Sequence, residues 1–311
     1  MFKNPNFKLQ INASGLKYIV NVNGVTVLRE FDSSNKVTVD LPINHWMHPD
    51  TSEFNYLVAP SEQGAPFSKD AFIEINLLVS QHDNPEVNYL VPLLNFDANA
   101  VATQTEMSKS PKSGTYVLED NKFVSKVEGG VVLHDIEVIK SKETDIDFYE
   151  GAITYKRRLK LANNLPLWAF FNSDTLPDYD AMSDADYDDA VNEIFVEYAK
   201  IQDALRSKDI ASIAHMFEER SREADAAFHY PVGQFQKETM EMLEEDINNP
   251  EFTLNERPPI QLKIVLEKNK KIVSLTTNNF SNALGFVREN GSYSSYPLMF
   301  RRQEGKWILT R

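Results

Sequence analysis

The chain has 311 residues, with 32 Lys and Arg against 46 Asp and Glu, for a net charge of −14. That balance argues against nucleic-acid binding through a broad basic surface, because such affinity comes from clustered cations. The 42% hydrophobic and 11% aromatic content excludes a mainly disordered chain, and zero Cys removes disulfides, thiol nucleophiles and Cys-based metal centres.

Length alone predicts two domains, at roughly 100 to 200 residues each. Met1 to Asn6 is not followed by the apolar region of a secretory signal, and polar residues return every few positions. No window approaches the ~18 consecutive apolar residues of a membrane span, so the expectation is a soluble, cytoplasmic protein with no membrane partner.

The first half reads as short strands separated by turns. Tyr18 to Val22 and Val25 to Leu28 flank Asn23-Gly24, a pair suited to a type I′ turn because both residues accept positive φ. Further strands are predicted over 36–41, 53–59, 71–80, 87–94, 122–127, 131–139 and 152–161. With no convincing helix among them, this pattern predicts an all-β antiparallel sandwich over residues 1–163.

Val22-Asn23-Gly24-Val25, the 37–41 strand, the turn Pro42 to Pro49 and the strand Glu53 to Val58 together resemble galactose-binding-like jelly-roll modules. The resemblance covers about residues 15 to 60 and implies a jelly-roll-like sandwich. Since that family includes sugar binders, it also raises a carbohydrate-binding alternative through Trp46, with His45 and His48 beside it.

Residues 164–183 change in composition. An apolar run, Leu165 to Phe171, is followed by a stretch rich in Asp, Pro and Ser, which predicts a linker. Ser183 then caps a predicted helix over 184–206, with Asp184, Asp186, Asp188 and Asp189 at the favourable end of its dipole. Tyr187, Val191, Ile194, Tyr198, Ile201 and Leu205 form its buried stripe. A second helix is predicted from Asp209 to Phe228, with Ile210, Ile213, Ala214, Phe217 and Ala224 inward. Pro231 and Gly233 end it, and a third helix follows over 234–247. From Pro259 the period changes to two, predicting about five strands, the first through Ile260, Leu262, Ile264 and Leu266 and the others near 271–277, 283–288, 296–302 and 307–310. Residues 184–311 are thus predicted as an α+β domain of three helices and a curved antiparallel sheet.

The segments Ile201 to Leu205, Asp209 to Phe217 and the closing Phe300 to Leu309 resemble nuclear-transport-factor-like α+β cones. That family includes enzymes, binders and inert scaffolds, so the resemblance implies a fold and no particular activity.

Charge is unevenly spread. Residues 174–251 hold 6 basic and 21 acidic side chains, a net of −15, whereas 252–311 hold 10 basic and 4 acidic, a net of +6. An acidic helical surface, with Asp184, Asp186, Asp188, Asp189, Glu218 and Glu219 as its leading residues, therefore predicts a basic protein partner, in the manner of an immunity or inhibitor protein or an accessory factor.

The alternative, an enzyme or small-ligand binder, lies on the second helix. His215, Glu218, Arg222, Asp225 and His229 share a stripe beside the apolar face, at ~100° per residue. Facing a pocket between that helix and the sheet, His215 and Asp225 would serve as acid and base, since imidazole exchanges protons near neutral pH and a carboxylate can orient it. The bland reading of the same stripe is a solvated face with i, i+3 and i, i+4 pairs. Metal sites gain no support. His45-x-x-His48 lies in a Pro-flanked loop, and Asp184-x-Asp186-x-Asp188 lacks the Gly and Glu that complete a calcium loop. Phosphate-loop, dinucleotide and serine-hydrolase motifs are absent from the sequence, so no cofactor is expected.

Overall fold

The computed structural model describes residues 4–99, 116–119, 122–125, 127–128, 131–133, 137–140, 150–161 and 165–311. Residues 126, 134–136 and 162–164, which fall within two predicted strands and at the predicted boundary, lie outside the described residues. The protein is a β-rich N-terminal region of antiparallel sheets followed by an α+β region. Its chain contacts divide it into two compact units, Met1–Leu167 and Trp168–Arg311.

In the first unit, strand β1 (Pro5–Ser14) alternates strictly between buried and half-buried residues, with Phe7, Leu9, Ile11 and Ala13 inward. It pairs with β4 (Val37–Pro42) on one side and β6 (Phe72–Gln81) on the other, and β6 continues to β7 (Asn84–Asp97). A second sheet contains β2 (Lys17–Val22), β3 (Val25–Glu30), β5 (Thr51–Ala59), β10 (Val127–Glu128), β11 (Val131–Leu133), β12 (Glu137–Lys140) and β13 (Ile153–Leu161). Its order is β10-β11-β13-β5-β2-β3, with β12 also on β13. A separate hairpin joins β8 (Tyr116–Glu119) to β9 (Lys122–Ser125).

The two larger sheets face each other. The Phe96 ring of β7 meets the Tyr155 ring of β13 at 6.3 Å between centroids, and Arg157 of β13 donates to the Pro92 carbonyl of β7. Arg157 is almost fully buried, and burial pushes its guanidinium down to about 10 despite the nearby Tyr56. The predicted hairpin forms with φ of 51° at Asn23 and 74° at Gly24. The Asn23 amide donates to the Trp46 carbonyl at 2.6 Å and its oxygen accepts from the Glu53 N–H at 2.8 Å, so the turn residue also fixes the neighbouring loop.

In the second unit, α1 (Asp184–Ser207) starts where predicted. The Ser183 hydroxyl accepts from the Asp186 N–H and donates to its carboxylate, and Lys208 closes the helix with φ of 59°. The predicted second helix divides into a 3-10 segment, Ile210–Phe217, and α2 (Glu218–Phe228). The Ser212 hydroxyl competes for the Asp209 carbonyl at 2.7 Å, and steps of three between Ile210 and Ile213 suit the tighter helix. Helix α3 (Gln234–Asn248) follows.

The strands form two sheets rather than a single meander of about five strands. One has the order β14-β17-β18 from β14 (Phe252–Glu256), β17 (Leu284–Arg288) and β18 (Tyr293–Tyr296). The other has the order β15-β16-β19-β20 from β15 (Lys263–Leu266), β16 (Ile272–Thr276), β19 (Phe300–Gln303) and β20 (Lys306–Leu309). Pro258 and Pro259 bring no N–H donors to a ladder, so residues 259–261 turn as a 3-10 segment and Ile260 is 93% exposed instead of facing inward.

Helix α1 lies on this β structure through Ile194, Tyr198, Ile201 and Leu205, which share one core with Val273, Leu275, Phe286 and Phe300. Two tyrosines fix its position. The Tyr198 hydroxyl donates to the Leu298 carbonyl and accepts from the Leu275 N–H, and the Tyr187 hydroxyl accepts from the Ile264 N–H.

The stretch read from sequence as a 164–183 linker is packed from Trp168 onward. Trp168, Phe170, Leu176 and Tyr179 are buried. The N–H groups of Asp174 and Leu176 donate to the carbonyls of Arg302 and Lys270, and the Lys271 ammonium donates to the Ser173 carbonyl. Pro and Asp give a loop-like composition, but the apolar residues between them are placed by these backbone bonds inside the second unit.

Candidate functional site

A groove of about 590 Å³ opens on the second unit. Helix α1 contributes Glu197 and Lys200, the 3-10 segment His215 and Met216, α2 Glu218, Glu219 and Arg222, and the β19–β20 hairpin residues Gly305 to Leu309. Its apolar surface comes from Met216, Trp307, Ile308 and Leu309, and charged side chains surround it. Trp307 is held by its indole N–H, which donates to Glu193 at 2.9 Å, and by the Arg302 guanidinium 5.6 Å from its ring.

Some of these charges are already paired. Glu197 holds Lys200 at 2.7 Å. Glu219 takes two bonds from Arg301, at 2.7 and 2.5 Å, an arrangement that raises the Arg301 guanidinium above its ordinary value. On the next turn of α2, Glu223 pairs with Arg311 at 2.5 Å and accepts from the Ala169 N–H. Arg220 lies between the Phe217 and Phe235 rings, and burial, with Arg311 nearby, pushes it down to about 10. His215, Glu218, Arg222 and Lys306 remain at the groove without an ion pair among the described residues.

Of the proposed catalytic set, the groove brings together His215 and Arg222 but neither Asp225 nor His229. Asp225 is buried, and its two oxygens accept from the N–H groups of Gly233 and Phe235 at 2.6 and 2.8 Å. Its carboxylate therefore caps the start of α3 and does not orient His215. His229 closes α2 in the left-handed conformation, with φ of 59°. The helical spacing that suggested a shared stripe is broken by the 3-10 segment under His215.

The carbohydrate alternative meets a similar correction. Trp46 is 7% exposed in a one-turn segment, so its ring face is not offered to a sugar. The His45 ring lies 4.6 Å from it, and the His48 Nδ1 accepts from the Asp50 N–H at 3.1 Å, which shapes the turn.

On the acidic surface, Asp184, Asp186, Asp188, Asp189 and Glu218 are exposed, whereas Glu219 is withdrawn into its pair with Arg301. Among the described residues, no group of three or more His, Asp or Glu is placed to hold a metal, and no helix is long and apolar enough to cross a membrane. Lys306 and Trp307 were not singled out from the sequence, although Gly305-Lys306-Trp307 marks a hairpin carrying an aromatic residue beside a charge. Compared with known protein families, curated proteins and solved structures, the chain matches none.

Proposed function

We propose that the protein is a non-catalytic binding protein that engages a basic protein partner through the acidic face of its helices. The observation that carries this reading is the start of α1, where Asp184, Asp186, Asp188 and Asp189 are exposed and none has an ion pair among the described residues. Glu238, Glu241, Glu244 and Glu245 add exposed carboxylates on α3, with Lys237 reaching Glu241 at 3.7 Å. The arginines that could neutralise the helices are largely occupied inside, Arg301 by Glu219 and Arg311 by Glu223. The remaining field is negative, and such a field accelerates encounter with a cationic surface by roughly 10- to 1,000-fold at low salt.

The test begins with cross-linked capture of a partner, followed by measurement of its association rate at low and high salt. The quadruple substitution Asp184→Asn, Asp186→Asn, Asp188→Asn and Asp189→Asn should slow association about tenfold at low salt and leave dissociation nearly unchanged. A captured partner whose association rate ignores both salt and the quadruple substitution would overturn the proposal.

A further inference from the structure

We infer that the groove on the second unit binds a small organic anion, an aryl carboxylate, whose acid group is held by Arg222 and Lys306 and whose ring lies against Met216 and Trp307. This inference is independent of the acidic face and concerns a different part of the same unit.

The space for such a molecule is already present. The groove holds about 590 Å³, which lies inside the roughly 300 to 1,000 Å³ of small-molecule sites. Helix α1 forms one wall, the 3-10 segment and the first two turns of α2 form another, and the β19–β20 hairpin closes the third side. A bicyclic aromatic acid fits within that volume with its carboxylate at the charged rim.

Charge selects the sign of the ligand. Glu197 is neutralised by Lys200, and Glu219 by Arg301, which stands behind the groove and does not line it. Among the side chains left without an ion pair at the groove, Arg222 and Lys306 are cations, Glu218 is the one carboxylate, and His215 adds a ring that can donate a hydrogen bond. Glu218 and Arg222 are four residues apart on α2, yet no ion pair joins them among the described residues, so the guanidinium donors are available to a guest. One carboxylate can accept two parallel bonds from a guanidinium and a third from an ammonium. A cationic guest would meet two like charges against one opposite charge.

The apolar lining selects the body of the ligand. Met216, Trp307 and Ile308 are half-buried and line the same groove. Trp307 is fixed by its bond to Glu193 and by the Arg302 guanidinium, so the surface it offers is set before a guest arrives and little ordering is needed on binding. The Met216 thioether adapts to a flat partner and contacts aromatic edges favourably. A short acid without a ring would gain the charge contacts and lose these.

The test uses the full chain with 2-naphthoate, its neutral primary amide and 2-naphthylmethylamine, with calorimetry for affinity and methyl NMR of the methionines for location. One naphthoate should bind per chain, about tenfold more tightly than the amide, and the amine should bind more weakly than either. The ring should shift the Met216 methyl signal, which is identified by its loss in Met216→Leu. Arg222→Glu with Lys306→Glu, both on exposed side chains, should reverse the preference between naphthoate and the amine. Lys237→Glu with Lys270→Glu makes the same change in net charge outside the groove and should leave naphthoate affinity within about twofold. Absence of naphthoate binding at millimolar concentration, binding with the Met216 signal unmoved, equal affinity for acid and amide, or equal losses from the two double substitutions would overturn the inference. The comparison of acid with amide uses the unaltered chain, so it decides the matter even where a variant fails to fold.

Discussion

At the scale of single residues, the second unit uses carboxylates to fix backbone as well as to face water. Asp225 accepts from two N–H groups at the start of α3, where the helix dipole also favours a negative charge. Asp225→Ala should cost about 2 kcal/mol in urea unfolding and Asp225→Asn about half of that, since the amide keeps one acceptor. A catalytic Asp225 would instead lose activity at unchanged stability. In the first unit, burial raises the Glu53 carboxyl, but bonds from Lys156, Asn55 and Arg158 outweigh it and hold the group below its ordinary value. A carboxyl depressed in the folded state stabilises above its unfolded value, and that contribution disappears as pH falls through the folded one. Glu53→Gln should therefore flatten the loss of stability measured by urea unfolding between about pH 5 and pH 2, and an unchanged slope would remove Glu53 from the acid response.

At the scale of elements, what could be read from sequence depended on whether the pattern was local. The α1 stripe and its Ser183 cap needed only their own residues, and the Asn23-Gly24 hairpin only its turn. Strand β1 carried a readable alternation at Phe7, Leu9, Ile11 and Ala13, but its polar partners and the lack of a turn on its N-terminal side concealed it. The 3-10 segment at Ile210–Phe217 interrupts an apolar pattern that fits either helix, and the role of Asp225 rests on a loop whose Gly233 has φ of 87°; neither follows from periodicity. The groove was less legible still, because its walls come from three separated segments. Gly285 shows how such juxtapositions set local sequence. A Cβ there would lie 2.5 Å from the Ser294 carbonyl oxygen and 2.6 Å from the Tyr293 ring. Gly285→Ala should lower stability by about 2 kcal/mol. Adding Tyr293→Ala should not restore it, because the carbonyl cannot move aside; full rescue in a thermal melt would show that the ring alone sets the requirement.

At the scale of the whole molecule, the excess of carboxylates concentrates in residues 174–251 while residues 252–311 carry a net positive charge. Since Arg301 and Arg311 are occupied by Glu219 and Glu223, the remaining helical charges repel one another across solvent. Raising salt from 20 to 300 mM shortens the screening length from roughly 20 Å to about 6 Å, so the melting temperature should rise with salt, and the four Asp→Asn substitutions should raise it at low salt. A melting temperature that falls over that range would show that the attractive pairs dominate.

The packed course of residues 168–182 sets where this protein can be divided. A fragment beginning at Ser183 would retain α1 to α3 and every strand of the second unit yet lose Leu176 and Tyr179 from its interior and the N–H that bonds Glu223. Arg302 and Lys270 would lose their backbone donors as well. The usable cut lies before Trp168, and a fragment made at the composition change would carry an apolar wound on the side where those two residues had been seated.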